Sequence, residues 1–328
     1  MSIPASAPIP ADLADAYAWC ERFARNHYEN FPVASYLLPK AVRPHIAAIY
    51  AFARSADDFA DEGQRPHEER YRLLEDWREL LWRAAEASRT PPRSSSNASP
   101  ARSSQPHSPL FRALGHTIRV CDLQVSLLED LLSAFRQDVA TTRYATWADL
   151  LDYCRRSANP VGRLVLRVCG YAGTDLESAS DAVCTALQLT NFWQDLAIDY
   201  SRGRLYLPRE EWEAVGAVEA DLAAGRLSPP WRAAVASASA RTRGLFADGR
   251  VVCDLVRGRL RYELRATWLG GMLILDRLEE ANYDVFTRRP TIGKGDVPTL
   301  AWRAMRWSRP DREAGSGPAR GTGRVEAQ

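Results

Sequence analysis

One segment of the chain carries three aspartates on a helix with an apolar flank. Asp57 and Asp61 lie four residues apart, Asp58 lies between them, and the residues before them are mostly apolar. Because residues four apart on an α-helix lie on nearly the same face, these carboxylates point the same way, with Arg54 and Tyr50 on the preceding turns. Clustered carboxylates repel one another, and burial strengthens the repulsion. The spacing therefore predicts a cation among them.

A second polar stripe occurs later in the chain. Asn191, Asp195 and Asp199 recur every four residues, and Gln188 precedes them by three. The residues between them are mostly apolar, so the pattern predicts one polar stripe on an otherwise buried helix. Carboxylate and amide oxygens suit a hard cation such as Mg²⁺, which proteins usually bind through a few carboxylates together with substrate phosphates. Two such stripes facing each other could hold a Mg²⁺ cluster bridged by a diphosphate.

Arginines accompany both stripes, namely Arg54, Arg202 and Arg204. A guanidinium group donates two hydrogen bonds at once to a phosphate, and a bound metal would act as a Lewis acid for a departing diphosphate. A single acidic motif on a helix is more often a solvated patch paired with arginine. Two stripes within apolar helices favour a diphosphate site instead. The five histidines show no spacing typical of a rival metal site.

The elements that must position these residues are helices. Apolar residues recur at spacings of three and four, for example between Leu123 and Phe135, and no stretch alternates as a strand would. Thr146 followed by Asp149 predicts a capping box at the start of a helix. The sequence therefore predicts an all-α bundle of roughly eight to twelve helices.

Two segments contain too few large apolar residues to fold. Residues 88–109 are rich in Ser and Pro and predict a disordered surface insert, because the helical pattern before them resumes after them. Residues 305–328 predict a disordered C-terminal tail. We therefore expect a single helical domain over residues 1–304.

Composition excludes several classes of function. The chain has 328 residues, 46% hydrophobic and 26% charged, and its net charge of +2 gives no field that would attract nucleic acid. The N-terminus lacks the basic start and apolar run of a secretory signal, and no run of apolar residues is long enough to span a membrane. The six scattered cysteines predict buried free thiols in a reducing cytosol. We expect a cytoplasmic protein whose only membrane contact is peripheral.

In its two acidic segments the chain resembles the squalene/phytoene synthase family. Residues 50–61 are similar to the first aspartate-rich motif of that family, and residues 188–199 with 204–208 to the second. The two motifs together, about 140 residues apart, are far more specific than either alone. The likeness extends from about residue 16 to about residue 304. It implies a single-domain isoprenoid-synthase bundle, of the trans-isoprenyl diphosphate synthase type, with a central active-site cavity, more than one Mg²⁺ ion and a prenyl diphosphate substrate.

Three further segments resemble one subgroup, the bacterial hydroxysqualene synthases of the HpnC type. They read HYENFPVAS (27–35), YCRRSANPVGRL (153–164) and YDVFTRRP (283–290). The subgroup is understood to convert presqualene diphosphate and water into hydroxysqualene and diphosphate. The resemblance thus implies hopanoid biosynthesis, a supply of substrate from presqualene diphosphate synthase and use of the product by a hydroxysqualene reductase.

The resemblance also implies roles for individual residues. The implied metal ligands are Asp57, Asp58, Asp61, Asn191, Asp195 and Asp199. The implied substrate-binding residues are His27, Asn30, Phe31, Arg54, Gln188, Asn191, Arg204 and Arg288. The implied catalytic residues are Tyr50, Arg54, Asp57, Asp61 and Asp195. Aromatic side chains were expected to shield a carbocation in the cavity: Phe31, Tyr50, Phe52 and Trp193.

Capture of that carbocation by water needs a place for the water. Pro160 is predicted to lie in a helix, where it either frees a carbonyl near Arg155 or Arg156 that holds the water, or only kinks the helix. Two other functions stay open. One is a head-to-head prenyl transferase that makes presqualene diphosphate, squalene or phytoene, and the other is a non-catalytic acidic helical binding protein. We expect no NADPH, because no dinucleotide-binding glycine motif follows a strand.

Overall fold

The computed structural model describes residues 8–26, 38–61, 65–89 and 108–308. Within these residues the regular structure is helical, and the only β-type pairing is an isolated bridge between Arg143 and Leu205. The predicted all-α class is therefore confirmed. None of the described helices has both the length and the apolar character needed to cross a bilayer.

Fifteen α-helices occur in the described residues. The first eight are α1 (Ala14–Asn26), α2 (Arg43–Asp61), α3 (His67–Arg89), α4 (Pro109–Val120), α5 (Val125–Asp138), α6 (Trp147–Ser157), α7 (Asn159–Val168) and α8 (Thr174–Gln194). The others are α9 (Leu196–Ser201), α10 (Arg209–Glu213), α11 (Glu219–Ala223), α12 (Pro229–Gly249), α13 (Val252–Leu255), α14 (Gly258–Glu280) and α15 (Val297–Met305). The number exceeds our expectation because α9, α10, α11 and α13 have only four to six residues, too few to show a hydrophobic period.

Helices α2 and α8 are the two central elements. Helix α2 packs against α1, α3, α4, α5 and α7, whereas α8 packs against α6, α7, α12 and α14. About half of the residues of each helix are buried, and nearly all buried apolar residues of the described chain form one continuous core. The two helices that carry the acidic motifs are thus held from several sides, which fixes the motifs relative to each other.

A buried polar cluster holds α2 in place. The Tyr17 hydroxyl lies 3.1 Å from His45 Nδ1, 2.8 Å from His116 Nδ1 and 2.9 Å from Thr117 Oγ1. These residues belong to α1, α2 and α4, so the cluster joins three helices through side chains alone. Burial, and then the neighbouring His116, lower the pKa of His45 to about 4. His45 is therefore neutral near pH 7, because burial disfavours its charged form.

Local signals in the sequence were mostly read correctly. The capping box is present, since Thr146 Oγ1 accepts from the Asp149 amide at 3.2 Å and the Asp149 carboxylate accepts from the Thr146 amide at 3.0 Å. Five of the six cysteines are buried, and all six are free. The edges of the predicted insert were wrong, because α3 continues to Arg89 and α4 begins at Pro109. Residues 90–107 and 309–328 lie outside the described residues.

Candidate active site

The first acidic motif lies on the last two turns of α2. Arg54 Nη1 lies 3.1 Å from Asp57 Oδ2, and its Nη2 lies 2.8 Å from Asp58 Oδ1. Asp61, one turn further along, does not share this arginine but receives two hydrogen bonds from Arg204, at 2.5 and 3.2 Å. Burial, and then the charge of Asp61, raise the pKa of Asp57 to about 6. The arginines therefore leave part of the carboxylate repulsion uncompensated.

The second acidic motif is not on one continuous helix, as the sequence suggested. Helix α8 ends at Gln194, and Asp195 adopts φ −101° and ψ 8° before α9 begins. Hydrogen bonds from the Asp195 amide to Asn191 O (2.9 Å) and from the Asp199 amide to Asp195 O (2.8 Å) nevertheless preserve the spacing. Asn191 Nδ2 also donates to Asp195 Oδ2 at 2.8 Å. This hydrogen bond holds the side chains of Asn191 and Asp195 together where the helix breaks.

Arg204 connects the two motifs. It follows α9 through Gly203, whose φ of +82° is one that residues with a Cβ rarely adopt. The Arg204 amide donates to Asp199 O at 2.8 Å, while its guanidinium group binds Asp61 of α2. The next residue, Leu205, donates its amide to Thr142 O in the loop between α5 and α6. Arg204 is therefore fixed from both sides, in the position between the two acidic motifs.

Asp199 completes the second motif. Burial, and then the charge of Asp195, raise the pKa of Asp199 to about 6, whereas Arg204 and the exposed Arg202 lower it. Asp57 in the first motif shows the same pattern of burial and like-charge repulsion. A site with excess negative charge from both sides is what a bound cation would neutralise.

The donor set fits Mg²⁺ held jointly with a phosphate. The described residues contain no group of three or more His, Cys, Asp or Glu side chains arranged to hold an ion by themselves. Mg²⁺ is usually bound through one or two carboxylates, several waters and substrate phosphates rather than in a closed protein cage. The carboxylates of α2 and of the α8–α9 break match that requirement, because they lie on two facing elements with arginines between them.

Arg289 is a site residue that sequence reasoning missed. Its guanidinium group binds Asp195 through both Nε and Nη2, the latter at 3.1 Å from Oδ2. The neighbouring Arg288, the predicted substrate-binding residue, is exposed as Arg289 is, and what sets Arg289 apart is its ion pair with Asp195. Gln194 Nε2 donates to Pro290 O at 2.5 Å, so the segment is anchored twice at the α8–α9 break. The Arg-Arg-Pro sequence marked the segment, but nothing in it distinguished one arginine from the other.

A cavity of about 1080 Å³ opens behind the acidic motifs. At its polar end lie Tyr50, Arg54, Asp57, Gln188, Asn191 and Gln194. Its remaining wall consists mostly of apolar side chains from α2, α5, α7, α8 and α14. The predicted central cavity is confirmed. Its shape suits a ligand with one strongly anionic end and a long hydrocarbon body.

Two of the aromatic residues expected in the cavity lie in the core instead. Phe52 is fully buried and packs against Trp77, with ring centroids 6.0 Å apart. Trp193 is also fully buried, and its indole donates to Thr242 Oγ1 at 2.8 Å. Each is on the face of its helix away from the cavity. Tyr50 does line the cavity, whereas His27, Asn30 and Phe31 lie outside the described residues.

Asp138 and Tyr153 form a buried pair that the sequence did not reveal. The Tyr153 hydroxyl donates to Asp138 Oδ2 at 2.9 Å, and both residues line the cavity. Burial is the largest cause of the rise in the pKa of Asp138 to about 7, which the charges of Asp61 and Asp57 increase. A single aspartate between Gln137 and Val139 at the end of α5 gives no pattern by which it could have been recognised.

Pro160 lies at the boundary between two helices. Helix α6 ends at Ser157, and Pro160 lies in the first turn of α7, where an amide donor has no helical partner in any case. It is therefore not inside a continuous helix. The side chain of Ser157 lines the cavity one turn beyond Tyr153, and its buried Oγ has no hydrogen-bond partner among the described residues.

Comparison with known proteins identifies the family. The squalene/phytoene synthase family model matches residues 24–296. Hydroxysqualene synthase of Zymomonas mobilis is 42% identical over 219 residues, which cover 66% of this chain and 67% of that protein. Hydroxysqualene synthase of Rhodopseudomonas palustris is 38% identical and covers 68% and 69%, respectively.

Solved structures agree with this result. The squalene synthase HpnC of Alicyclobacillus acidocaldarius superimposes with a TM-score of 0.74 at 37% identity, over 86% of this chain and 99% of that one. A dehydrosqualene synthase solved with a ligand shares the fold, with a TM-score of 0.75 at 21% identity, over 90% and 97% of the two chains. The resemblance predicted from the two aspartate-rich motifs is therefore confirmed: this chain belongs to the squalene/phytoene synthase family of isoprenoid-synthase enzymes.

Proposed function

We propose that the chain is a hydroxysqualene synthase, a carbon–oxygen lyase that converts presqualene diphosphate and water into hydroxysqualene and diphosphate in hopanoid biosynthesis. The observation that carries the proposal is the pair of acidic motifs, joined by Arg204, at one end of a large and mainly apolar cavity. The identity of 42% and 38% to two hydroxysqualene synthases supports this choice within the family.

The polar end of the cavity would bind the diphosphate. The metal ligands in this proposal are Asp57, Asp58, Asp61, Asn191, Asp195 and Asp199. When bound, Mg²⁺ supplies Lewis-acid stabilisation of the charge that develops on the departing diphosphate. Arg54, Arg204 and Arg289 lie at the same end and can donate paired hydrogen bonds to phosphate oxygens. These interactions strengthen as the carbon–oxygen bond breaks, so they lower the barrier to ionisation.

The apolar part of the cavity would protect the carbocation. Once the electron pair of the broken bond leaves with diphosphate, the cyclopropylcarbinyl cation rearranges to an open allylic cation. A mainly apolar wall excludes bulk water and thereby limits premature capture. The rings of Tyr50 and Tyr153, which line the cavity, can stabilise positive charge through their faces.

Capture by water requires one ordered water in that apolar space. Support for this step comes from Ser157, whose buried hydroxyl oxygen lines the same cavity and has no hydrogen-bond partner within the part of the chain that the structure describes. A buried hydroxyl without a partner costs about 1–3 kcal/mol, so a water at this position would be bound favourably. The water oxygen forms the new carbon–oxygen bond, and its proton passes to the departing diphosphate.

A head-to-head prenyl transferase of the same family is the second candidate. Phytoene synthase of Thermus thermophilus is 30% identical and covers 94% of this chain and 99% of that protein. The acidic motifs and the cavity would serve a condensing reaction equally well, because both reactions ionise an allylic or cyclopropylcarbinyl diphosphate. A non-catalytic binding role has no comparable support, since the family consists of enzymes.

Product analysis separates the two candidates. Purified protein is incubated with presqualene diphosphate and Mg²⁺, without nicotinamide, in ¹⁸O-labelled water. We expect release of diphosphate and formation of hydroxysqualene that carries the label, and no turnover after chelation of Mg²⁺. A parallel incubation with farnesyl diphosphate should leave that substrate unused. Consumption of farnesyl diphosphate with accumulation of presqualene diphosphate, squalene or phytoene would instead establish the transferase.

The proposed reaction also defines partners and location. The reaction consumes no reductant, so the proposal includes no NADPH. It also includes no nucleic acid partner. A presqualene diphosphate synthase would supply the substrate, and a hydroxysqualene reductase would consume the product. We propose a cytoplasmic enzyme in peripheral contact with the inner membrane, because both the body of the substrate and the product are hydrocarbons with little affinity for water.

A further inference from the structure

Exposed apolar side chains are concentrated in one region. The described residues expose eleven large apolar side chains, and seven of them lie within residues 251–262 and 292–305. These seven are Val251, Leu255, Tyr262, Ile292, Val297, Trp302 and Met305. Trp302 is 53% exposed and Met305 65% exposed, at the C-terminal end of α15. A cluster of this kind on a globular protein marks a surface that binds a partner.

The two segments form one continuous surface. Arg265 of α14 donates to Ala304 O of α15 at 3.3 Å and to Asp254 Oδ1 of α13 at 3.2 Å. Just beyond α15, the ring of Trp307 packs against Trp268 of α14, with centroids 5.3 Å apart. Helix α15 is therefore fixed against the α13–α14 turn, so the two segments that carry the exposed side chains adjoin each other.

The same surface carries positive charge. Its exposed basic residues are Arg257, Arg259, Lys294, Arg303 and Arg306. The acidic residues of this surface already form ion pairs: Asp254 binds Arg265, and Asp296 binds Arg277 at 2.5 Å. We call these five basic and seven apolar residues the basic apolar face.

The basic apolar face is the outside of the cavity wall. Leu260 and Leu300 belong to the same two segments and line the cavity, together with Leu264 of α14 and the face residue Ile292. The cavity therefore approaches the protein surface through α14 and α15, beneath this face. A hydrocarbon product that leaves by this route would emerge where apolar and basic side chains are already exposed.

We propose that the basic apolar face docks on the surface of a bilayer that contains anionic lipids. Trp and Tyr with aliphatic side chains, interspersed with Arg and Lys, suit the boundary between headgroups and acyl chains, where apolar groups insert and cations meet lipid phosphates. A protein partner would call for fewer unpaired cations at the centre of the contact. The delivery of product to the membrane rests on the proposed function, but the docking itself does not.

Vesicle flotation tests the docking with the full chain and no substrate. We expect the protein to float with vesicles of phosphatidylglycerol and phosphatidylcholine, to float much less with pure phosphatidylcholine, and to be released by high salt. Trp302→Ser with Met305→Ser, and separately Arg303→Glu with Arg306→Glu, should each lower the partition coefficient at least about tenfold. Trp82→Ser and Arg209→Glu, exposed residues on α3 and α10, are matched controls and should float like the wild type.

Several results would overturn the proposal. If the wild type does not bind anionic vesicles, or if flotation of the matched controls falls as far as that of the α15 variants, the face has no role in membrane binding. A shift from dimer to monomer in sedimentation by the Trp302 and Met305 variant, without vesicle binding by the wild type, would identify a self-association surface instead. Unchanged thermal unfolding of each variant ensures that lost flotation is not lost folding. The outcome is independent of whether the product is an alcohol.

Discussion

Asp57 and Asp195 come from different elements, and each is bound by its own arginine, Arg54 and Arg289. We expect Asp57→Asn or Asp195→Asn to lower turnover at least about a hundredfold, because each removes charge that acts on the departing diphosphate. The fold should not suffer. Burial has raised the pKa of Asp57, so its charge is unfavourable in the folded chain, and the melting temperature of the amide variant should be equal or higher.

Diphosphate release and thermal unfolding measure the two effects separately. Asp76→Asn, an exposed aspartate on α3, is the control and should leave both unchanged. Near-normal turnover in either active-site variant would exclude the two-motif site. A large fall in melting temperature would show that the carboxylates stabilise the fold instead.

Ser157 permits a test that reports on product and not only on rate. We expect Ser157→Ala to release diphosphate within about threefold of the wild-type rate, because the hydroxyl would act after ionisation. The product should shift from hydroxysqualene towards hydrocarbons that form by proton loss. Ser157→Thr, which keeps a hydroxyl, should restore the alcohol.

Ser180→Ala is the matched control. Ser180 also lines the cavity, but its hydroxyl forms a hydrogen bond with the Cys184 thiol. Gas chromatography of the products gives the ratio directly. An unchanged ratio in Ser157→Ala would place the capturing water elsewhere.

At the scale of the helices, the cluster around Tyr17 makes stability depend on pH. The pKa of His45 is about 4 in the folded chain, compared with 6.5 for an unperturbed histidine. The unfolded chain therefore binds the extra proton first. The contribution of His45 to the free energy of unfolding is fully present above about pH 6.5. As the pH falls towards 4, about 3 kcal/mol of it is lost.

Denaturant unfolding at several pH values between 4 and 7 measures the slope of the unfolding free energy against pH. His45→Gln should flatten it, whereas replacement of the exposed His67 should not. An equal slope in wild type and His45→Gln would show that acid sensitivity arises from other groups.

The helices also show what the sequence could and could not predict. Spacings of three and four identified α2 and α8, and the four-residue repeat of Asn191, Asp195 and Asp199 was correct even though the helix breaks within it. The break escaped notice because the amides of Asp195 and Asp199 still bond four residues back. Hydrophobic periodicity reports on burial, and a change of ψ at one polar residue leaves burial unchanged.

Residues brought together by tertiary structure were harder to find. Arg289 meets Asp195 across 94 residues of sequence. The pKa of Asp138 is raised first by burial and further by the charges of Asp61 and Asp57. Neither has a local pattern. The resemblance to a family gave the correct fold and cavity. The expected places of Phe52 and Trp193 in the cavity depended on side-chain directions that a motif does not contain.

For the whole molecule, the connection between α3 and α4 should be dispensable. Deletion of residues 90–106 leaves two residues between Arg89 and Pro109, and connections this short commonly join antiparallel neighbouring helices. The deleted segment has few large apolar residues to bury. We expect melting temperature and diphosphate release to remain close to wild type. Insoluble or inactive protein after the deletion would show that the segment packs against the bundle.

The ion pairs that join the acidic motifs have a consequence for how metal and substrate arrive. Asp61 and Asp195 already hold Arg204 and Arg289, so Mg²⁺ alone must displace a guanidinium group, and diphosphate alone must draw an arginine from its carboxylate. With both bound, the carboxylates would hold the metal and the arginines would hold the phosphates. Each ligand should therefore raise the affinity for the other by the same factor, which calorimetry with an unreactive diphosphate would reveal. With such reciprocity the protein would bind free magnesium and free diphosphate weakly and their complex more tightly.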